Sequence, residues 1–341
     1  FYAERWVPDM RDLKQRFRLA YTSALVFSYD GSTSPPYRFD EWLMGTVRGE
    51  GDAVFYSPWI SRQASRFSEV GLHGFNHQPL TVENWDSDEQ MVRALRRARW
   101  RWRVDHIGSY PDTYVPPMNV IDSVGVRALE RAFPDLRYIA GFHHGEFGRG
   151  QAREFGPEPW AASLYALPRN TSGYILTDGM KLSMLSLLHV AGAWGHFLHP
   201  DEVFPNAHRT ETLRRGGVSI PEEGFRWRGA PEEDGLYYRF ADWLSFVRTH
   251  YPWLRYMEAG QAARTMKSYQ ASTFTRSYRE DRVIVRSSRP NTYFSVYARP
   301  DDELVDLDGG TMVHHGATSV FRYFVVRADR RKVEFRFIDE S

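Results

Sequence analysis

The chain has 341 residues, 42% of them apolar and 15% aromatic, which excludes a disordered chain and allows one large domain with a smaller companion. Its 44 basic and 43 acidic residues leave a formal net charge of +1, so no general attraction to nucleic acid or membrane operates and a ligand must be recognised locally. Cysteine is absent, which removes disulfides, thiolate metal sites and cysteine nucleophiles while leaving the compartment open.

No apolar run reaches the length of a membrane span. The chain begins at Phe1 without a signal-peptide pattern, and a longer protein with a domain upstream is expected. Tyr21 to Tyr29 is rich in β-formers and ends at Asp30-Gly31, so a buried strand is predicted to deliver Asp30 at its C-terminal end. A second strand, Val70 to Gly74, delivers His73. Ser87 to Val104 reads as a helix: Ser87 with Gln90 forms a capping pattern, and Met91, Leu95, Ala98 and Trp102 line one face. Thr113 to Val115 is a short strand stopped by Pro116-Pro117. A helix over Ile121 to Ala132 and a strand over Tyr138 to Phe142 follow. Leu167 to Tyr174 is polar and turn-rich. Met180 to Leu188 is helical, Val190 to His199 extended, and Tyr237 to Thr249 and Ala259 to Tyr269 are late helices.

This alternation predicts an α/β layer or barrel with a parallel sheet. In such folds sites gather at the C-terminal ends of strands. After about residue 271 the pattern becomes strand-like, over Arg282 to Ser287, Asn291 to Arg299, Ser319 to Arg327 and Lys332 to Ile338. The predicted organisation is a domain over 1–270 and a small all-β, sandwich-like module over 271–341. His314-His315 is predicted to occupy a turn of that module.

The Arg93–Arg103 helix is dense in arginine, with Trp100 and Trp102 interleaved. Its apolar face makes it a solvated helix packed on a sheet, so nucleic acid is not an expected partner.

Three local patterns carry chemistry. In Gly71-Leu72-His73-Gly74-Phe75-Asn76-His77, two imidazoles reach one ion if the chain turns tightly, which Gly74 permits. Position 74 is Gly rather than Glu, so the helical metalloprotease pattern is excluded. In Phe27-Ser28-Tyr29-Asp30-Gly31 an apolar strand runs into a carboxylate. In Trp194-Gly195-His196-Phe197-Leu198-His199-Pro200-Asp201-Glu202, His199 precedes a proline and should be extended, with Asp201 near enough to orient its ring.

In this order the patterns resemble the motif series of the polysaccharide deacetylases (the NodB-homology, carbohydrate esterase family 4-like superfamily). Tyr29-Asp30-Gly31 resembles that family's Asp-Asp-Gly, His73 and His77 its His-x-x-x-His, Val115-Pro116-Pro117 its Arg-Pro-Pro, and Phe197-Leu198-His199 its Leu-x-His. The Pro-Pro-Met-Asn and His-Pro-Asp stretches resemble the divergent domains of exopolysaccharide (Pel-type) proteins. Two positions depart from the pattern: the family's base falls on Tyr29 and its bracing arginine on Val115.

The resemblance implies a distorted (β/α) barrel, a divalent cation, most readily Zn2+, held by Asp30, His73 and His77, and a periplasmic or extracellular location. It implies removal of N-acetyl groups from an amino-sugar polysaccharide, with His199 donating the proton to the leaving amine. Asp30 stays with the metal, and Asp201 or Glu202 substitutes as base. Substrate contacts are expected from Arg169, Tyr114 and Trp194. Two other readings compete: a catalytically silent carbohydrate-binding domain, which Tyr29 and Val115 favour, and a glycoside hydrolase, which needs paired carboxylates.

Overall fold

A computed structural model describes residues 5–27, 33, 58–143, 153–199, 227–228 and 235–339. The chain divides into two compact units, Phe1–Phe246 with Tyr256–Ala263, and Val247–Arg255 with Arg264–Ser341.

The first unit opens with helix α1 (Val7–Phe17), whose Val7, Met10, Leu13 and Phe17 recur every three or four residues and are buried. Strands and helices then alternate: β1 (Thr22–Leu25), α2 (Pro58–Phe67), β2 (Glu69–Leu72), α3 (Asp88–Val104), β3 (Thr113–Tyr114), α4 (Ser123–Ala132) and β4 (Tyr138–His143). After them come β5 (Gly156–Glu158), β6 (Ala161–Arg169), β7 (Thr171–Ser172), α5 (Asp178–Val190) and β8 (His196–Phe197); α6 (Leu236–His250) and α7 (Ala259–Gln270) each begin in the first unit and end in the second.

The six-stranded sheet runs β1-β2-β3-β4-β6-β5. Strands β1 to β4 and β6 are parallel, and β5 lies antiparallel to β6. Strand β7 continues from β6 after Asn170 and pairs in parallel with β8, Thr171 opposite His196 and Ser172 opposite Phe197. Neighbours follow chain order from β1 to β4, as in a barrel wall, while β6 takes the place beside β4 and β5 lies at the edge; among the described residues the sheet does not close.

Local chemistry sets the helix starts. Ser87 accepts from Gln90 N, Asp122 from Gly125 N and Thr177 from Met180 N, each satisfying a donor that the first turn leaves without an intrahelical partner. Met91, Leu95, Ala98 and Trp102 are buried, as the periodicity predicts. They share one core cluster with Val126 and Leu129 of α4 and with Leu72, Tyr114 and Ile139 of the sheet. Burial of each large aliphatic side chain contributes roughly 1.5–3 kcal/mol.

The arginines of α3 divide by position. Arg101 is buried in an ion pair with Asp105 at 2.6 Å, and Arg99 lies 4.5 Å from the Tyr110 ring and donates to the Ala132 carbonyl. Arg93, Arg96 and Arg103 are exposed.

The second unit holds β9 (Phe274–Arg279), β10 (Arg282–Ser287), β11 (Thr292–Ala298), β12 (Asp302–Asp308), β13 (Gly310–Ala317), β14 (Arg322–Ala328) and β15 (Lys332–Asp339). Their antiparallel sheets run β12-β15-β10-β9 and β11-β14-β13. Val283, Val285, Leu304 and Phe335 of one share a core with Phe324, Val326 and Ala328 of the other.

Several sequence expectations change. The first strand is shorter than Tyr21 to Tyr29, and its expected end lies outside the described residues. Leu167 to Arg169 is not a turn but the buried end of β6; Pro168, which lacks an N–H, falls where the β4–β6 register breaks, between the Ala140–Leu167 and His143–Arg169 pairs. Strands β9, β12 and β13 were not expected. Strand β9 is exposed along its length, β12 carries four carboxylates, and a register shift between Met312 and His314 breaks the alternation in β13. His314 and His315 therefore lie in a strand rather than a turn, and His314 stacks on Trp253 with ring centres 4.0 Å apart.

Candidate functional site

The ladder between β1 and β2 continues past both strand ends. His73 N donates to Leu25 O at 2.7 Å and Phe27 N to Phe75 O at 3.1 Å, so β1 is carried alongside the histidine segment. Asp30 follows three residues after Phe27 and lies outside the described residues, as do Asp201 and Glu202.

Past β2 the chain bends through two left-handed positions, Gly74 at φ +82° and His77 at φ +59°. Glycine takes this conformation readily, and the Pro117 ring lies only 3.3 Å from where a Cβ at 74 would stand. His77 adopts it at a steric cost that its surroundings must offset. The result brings the His73 and His77 rings to 4.9 Å between centroids, at 68° to one another.

His73 is buried, and its Nδ1 donates to the Val115 carbonyl at 2.7 Å. Val115 is itself pinned beside β2 by its N–H to Leu72 O at 2.8 Å. Burial pushes the His73 pKa down to about 4; the Val115 bond opposes this, and the charges of His77, His199 and Arg169 add to it. The ring is thus neutral at physiological pH, and His199 and Arg169 lie within its electrostatic reach.

Arg169 ends β6 and is buried, its guanidinium 4.9 Å from the Phe197 ring. With its amide oriented to satisfy its neighbours, Asn119 donates to Gly141 O at 3.0 Å and accepts from Arg169 Nη2 at 2.9 Å. Asn119 follows Met118, and both have positive φ, a conformation Asn tolerates better than most residues. The Pro-Pro-Met-Asn turn thereby ties the ends of β3, β4 and β6 together. Asn119 was not among the residues singled out in the sequence; its signal is that Asn after a Pro-Pro turn.

His199 follows β8. Its ring packs on Phe197 at 4.6 Å, and its carbonyl accepts from Tyr174 Oη at 3.2 Å. Gly195 lets β8 approach, since a Cβ there would stand 2.3 Å from the Pro168 carbonyl. His196 turns into an aromatic cluster with Trp194, Phe240 and Trp243, and burial pushes its pKa down to about 3.

The expected aromatic platforms fare differently. Tyr114 is fully buried within the sheet–helix core, so its ring offers no face to a polymer, and that expectation is corrected. A central strand two residues long, covered by α3 and α4, leaves it no other place. Trp194 is half-buried, and its Nε1 donates inward to Thr171 Oγ1 at 2.7 Å.

The imidazoles of His73 and His77 are donors of the kind that divalent cations accept. The Val115 carbonyl can only accept, so the His73 proton sits on Nδ1 and the lone pair on Nε2, the tautomer a metal ligand requires. Among the described residues no group of three or more His, Asp or Glu side chains converges.

Fold and site together define an α/β protein with a histidine-rich site at the C-terminal ends of parallel strands. Residues 1–320 match the family described as "Uncharacterised protein conserved in bacteria (DUF2194)", and the chain belongs to that family. No curated protein matches it. A solved structure described as "Crystal structure of putative polysaccharide deacetylase from Mycobacterium smegmatis" is similar at 14% identity and a TM-score of 0.42, over 80% of this chain and 81% of that one. The reading of function rests on the site's residues and not on that likeness.

Proposed function

We propose that this chain is a metal-dependent deacetylase, of a branch similar to the Pel-type exopolysaccharide domains, that removes N-acetyl groups from an extracellular amino-sugar polysaccharide. One observation carries the reading: the His73 and His77 rings stand 4.9 Å apart beyond β2, with His73 oriented by Val115. The order of the motifs along the chain supports it, as does a fold that sets His199 and Arg169 around those rings.

In this reading His73, His77 and Asp30 hold Zn2+ or a similar cation. Bound there, the ion supplies Lewis-acid chemistry, making water more acidic and polarising a carbonyl. The protein's residues do the rest. His199, its backbone held by Tyr174, gives a proton to the departing amine. Asp201 is the proposed base. Arg169 and Trp194 contact the sugar chain.

No helix among the described residues is long and apolar enough to cross a membrane. Tyr29 in place of the family's first aspartate favours a second reading, a carbohydrate-binding domain without turnover.

Acetate release from N-acetylhexosamine oligomers separates the two. The expected result is release that a chelator abolishes and Zn2+ restores, and that His199→Ala lowers by roughly 10²- to 10⁴-fold while metal content is unchanged. Oligomer binding without acetate release, with or without metal, favours the second reading. Chelator-insensitive chain cleavage points to a glycoside hydrolase.

A further inference from the structure

The hydroxyl of Tyr174 lies between the N-terminal helix and the candidate acid. Tyr174 Oη donates to the His199 carbonyl at 3.2 Å and accepts from Trp6 Nε1 at 3.4 Å. Trp6 is the residue at the N-terminal boundary of α1. Tyr174 is itself deeply buried, 2% exposed, with Trp227 and Phe240 edge-on to its ring at 5.4 and 5.7 Å.

Its backbone is equally determined. Gly173 N donates to Phe197 O at 2.9 Å, continuing the β7–β8 ladder up to the residue before Tyr174. On the other side, α1 is anchored by Asp9, which accepts from Trp227 Nε1 at 2.7 Å and from Arg228 Nε at 3.0 Å. Strand pairing holds the backbone up to Gly173, Trp227 and Phe240 pack the ring, and the hydroxyl spans from Trp6 to the backbone of His199. A tyrosine used only as core filling has no need of that geometry, because phenylalanine fills the same space.

We infer that Tyr174 is a positioning residue: its hydroxyl, held by Trp6, sets the backbone of His199 and so the place from which the imidazole delivers its proton. This rests on the reading of His199 as the proton donor. It assigns α1 a part in the site although that helix precedes all four motifs.

Tyr174→Phe keeps the ring and removes the hydroxyl. On N-acetylhexosamine oligomers it is expected to lower kcat about 5- to 10-fold, the effect of one hydrogen bond, with KM within about 2-fold. Trp6→Phe is expected to shift kcat in the same direction, and the double variant to be no worse than Tyr174→Phe alone, since both act through one hydroxyl.

A second measurement is independent of turnover. In protein carrying 13C-labelled histidine, the His199 ring signal, identified by its loss in His199→Asn, is expected to move in Tyr174→Phe while those of His73 and His77 stay in place. A His199 signal superimposable on wild type, or additive kcat effects of the two variants, overturns the inference. Absence of acetate release by the wild-type chain overturns the functional reading instead, and the histidine signals then decide the positioning alone.

Discussion

His73 Nδ1 stands 2.7 Å from the Val115 carbonyl oxygen, and this bond sets which nitrogen of the ring is open to a ligand. Position 115 acts on His73 through its backbone carbonyl, which any residue that leaves the strand end undisturbed supplies equally. Arg169 brings a guanidinium into the same neighbourhood from β6, linked to the Pro-Pro turn through Asn119.

The first prediction concerns the cation. If His73 and His77 hold the proposed cation, removing either imidazole takes away a ligand outright, so His77→Ala or His73→Ala should weaken Zn2+ binding by more than the roughly 10- to 100-fold typical of losing an orienting partner. Competition against a chromophoric chelator measures this. Affinity equal to wild type in both variants would remove the metal site at this place.

A second prediction follows from two glycines with opposite surroundings. At Gly195 an added Cβ would stand 2.3 Å from the Pro168 carbonyl, whereas at Gly179, in the first turn of α5, it meets nothing within 4 Å. Gly195→Ala should therefore destabilise the protein by about 1–3 kcal/mol or more, because backbone has to move. Gly179→Ala should stabilise it by about 0.4–1 kcal/mol by restricting the unfolded chain. Denaturant midpoints at constant slope report both, and equal shifts in the two variants would contradict the close approach of β8 to β6.

The third prediction is a pH dependence. Burial among Trp194, Phe240 and Trp243, with the charge of Arg169 adding to it, pushes the His196 pKa from 6.5 down to about 3. Below about pH 6.5 the unfolded chain takes up a proton that the folded chain refuses, so stability falls on acidification, by up to about 1.4 kcal/mol per pH unit from this group, until the folded ring titrates. Above that range His196 contributes no slope. Unfolding free energies measured between pH 7.5 and about 4.5 should decline less steeply in His196→Gln than in wild type. Parallel curves would mean that the folded ring accepts its proton as readily as the unfolded one.

Much of the first unit can be read locally. The face Met91-Leu95-Ala98-Trp102 repeats with the helical period, Ser87 caps its own helix, and both patterns reappear in the structure because each depends on residues a turn apart. Strand β6 is the opposite case. Its Pro168-Arg169 end reads as a turn, and only pairing to β4 across a register break makes it a strand that carries Arg169 into the site. Strand β12 likewise owes its conformation to a neighbour distant in sequence, β15, whereas β9 and β13 pair with the strands that follow them but lack the alternation of apolar residues that would reveal them.

By itself, the amino-acid order gave much of the alternation of strands and helices, the Ser87 cap of α3, and the histidines worth considering. Local hydrogen bonds and periodic burial specify these within a few residues. Tertiary packing decided the rest: that Tyr114 belongs to the core, that Asn119 meets Arg169, and that Tyr174 meets the backbone of His199. Those outcomes depend on which strands lie side by side, and parallel pairing joins residues separated by a whole crossover, a distance over which no local pattern carries information.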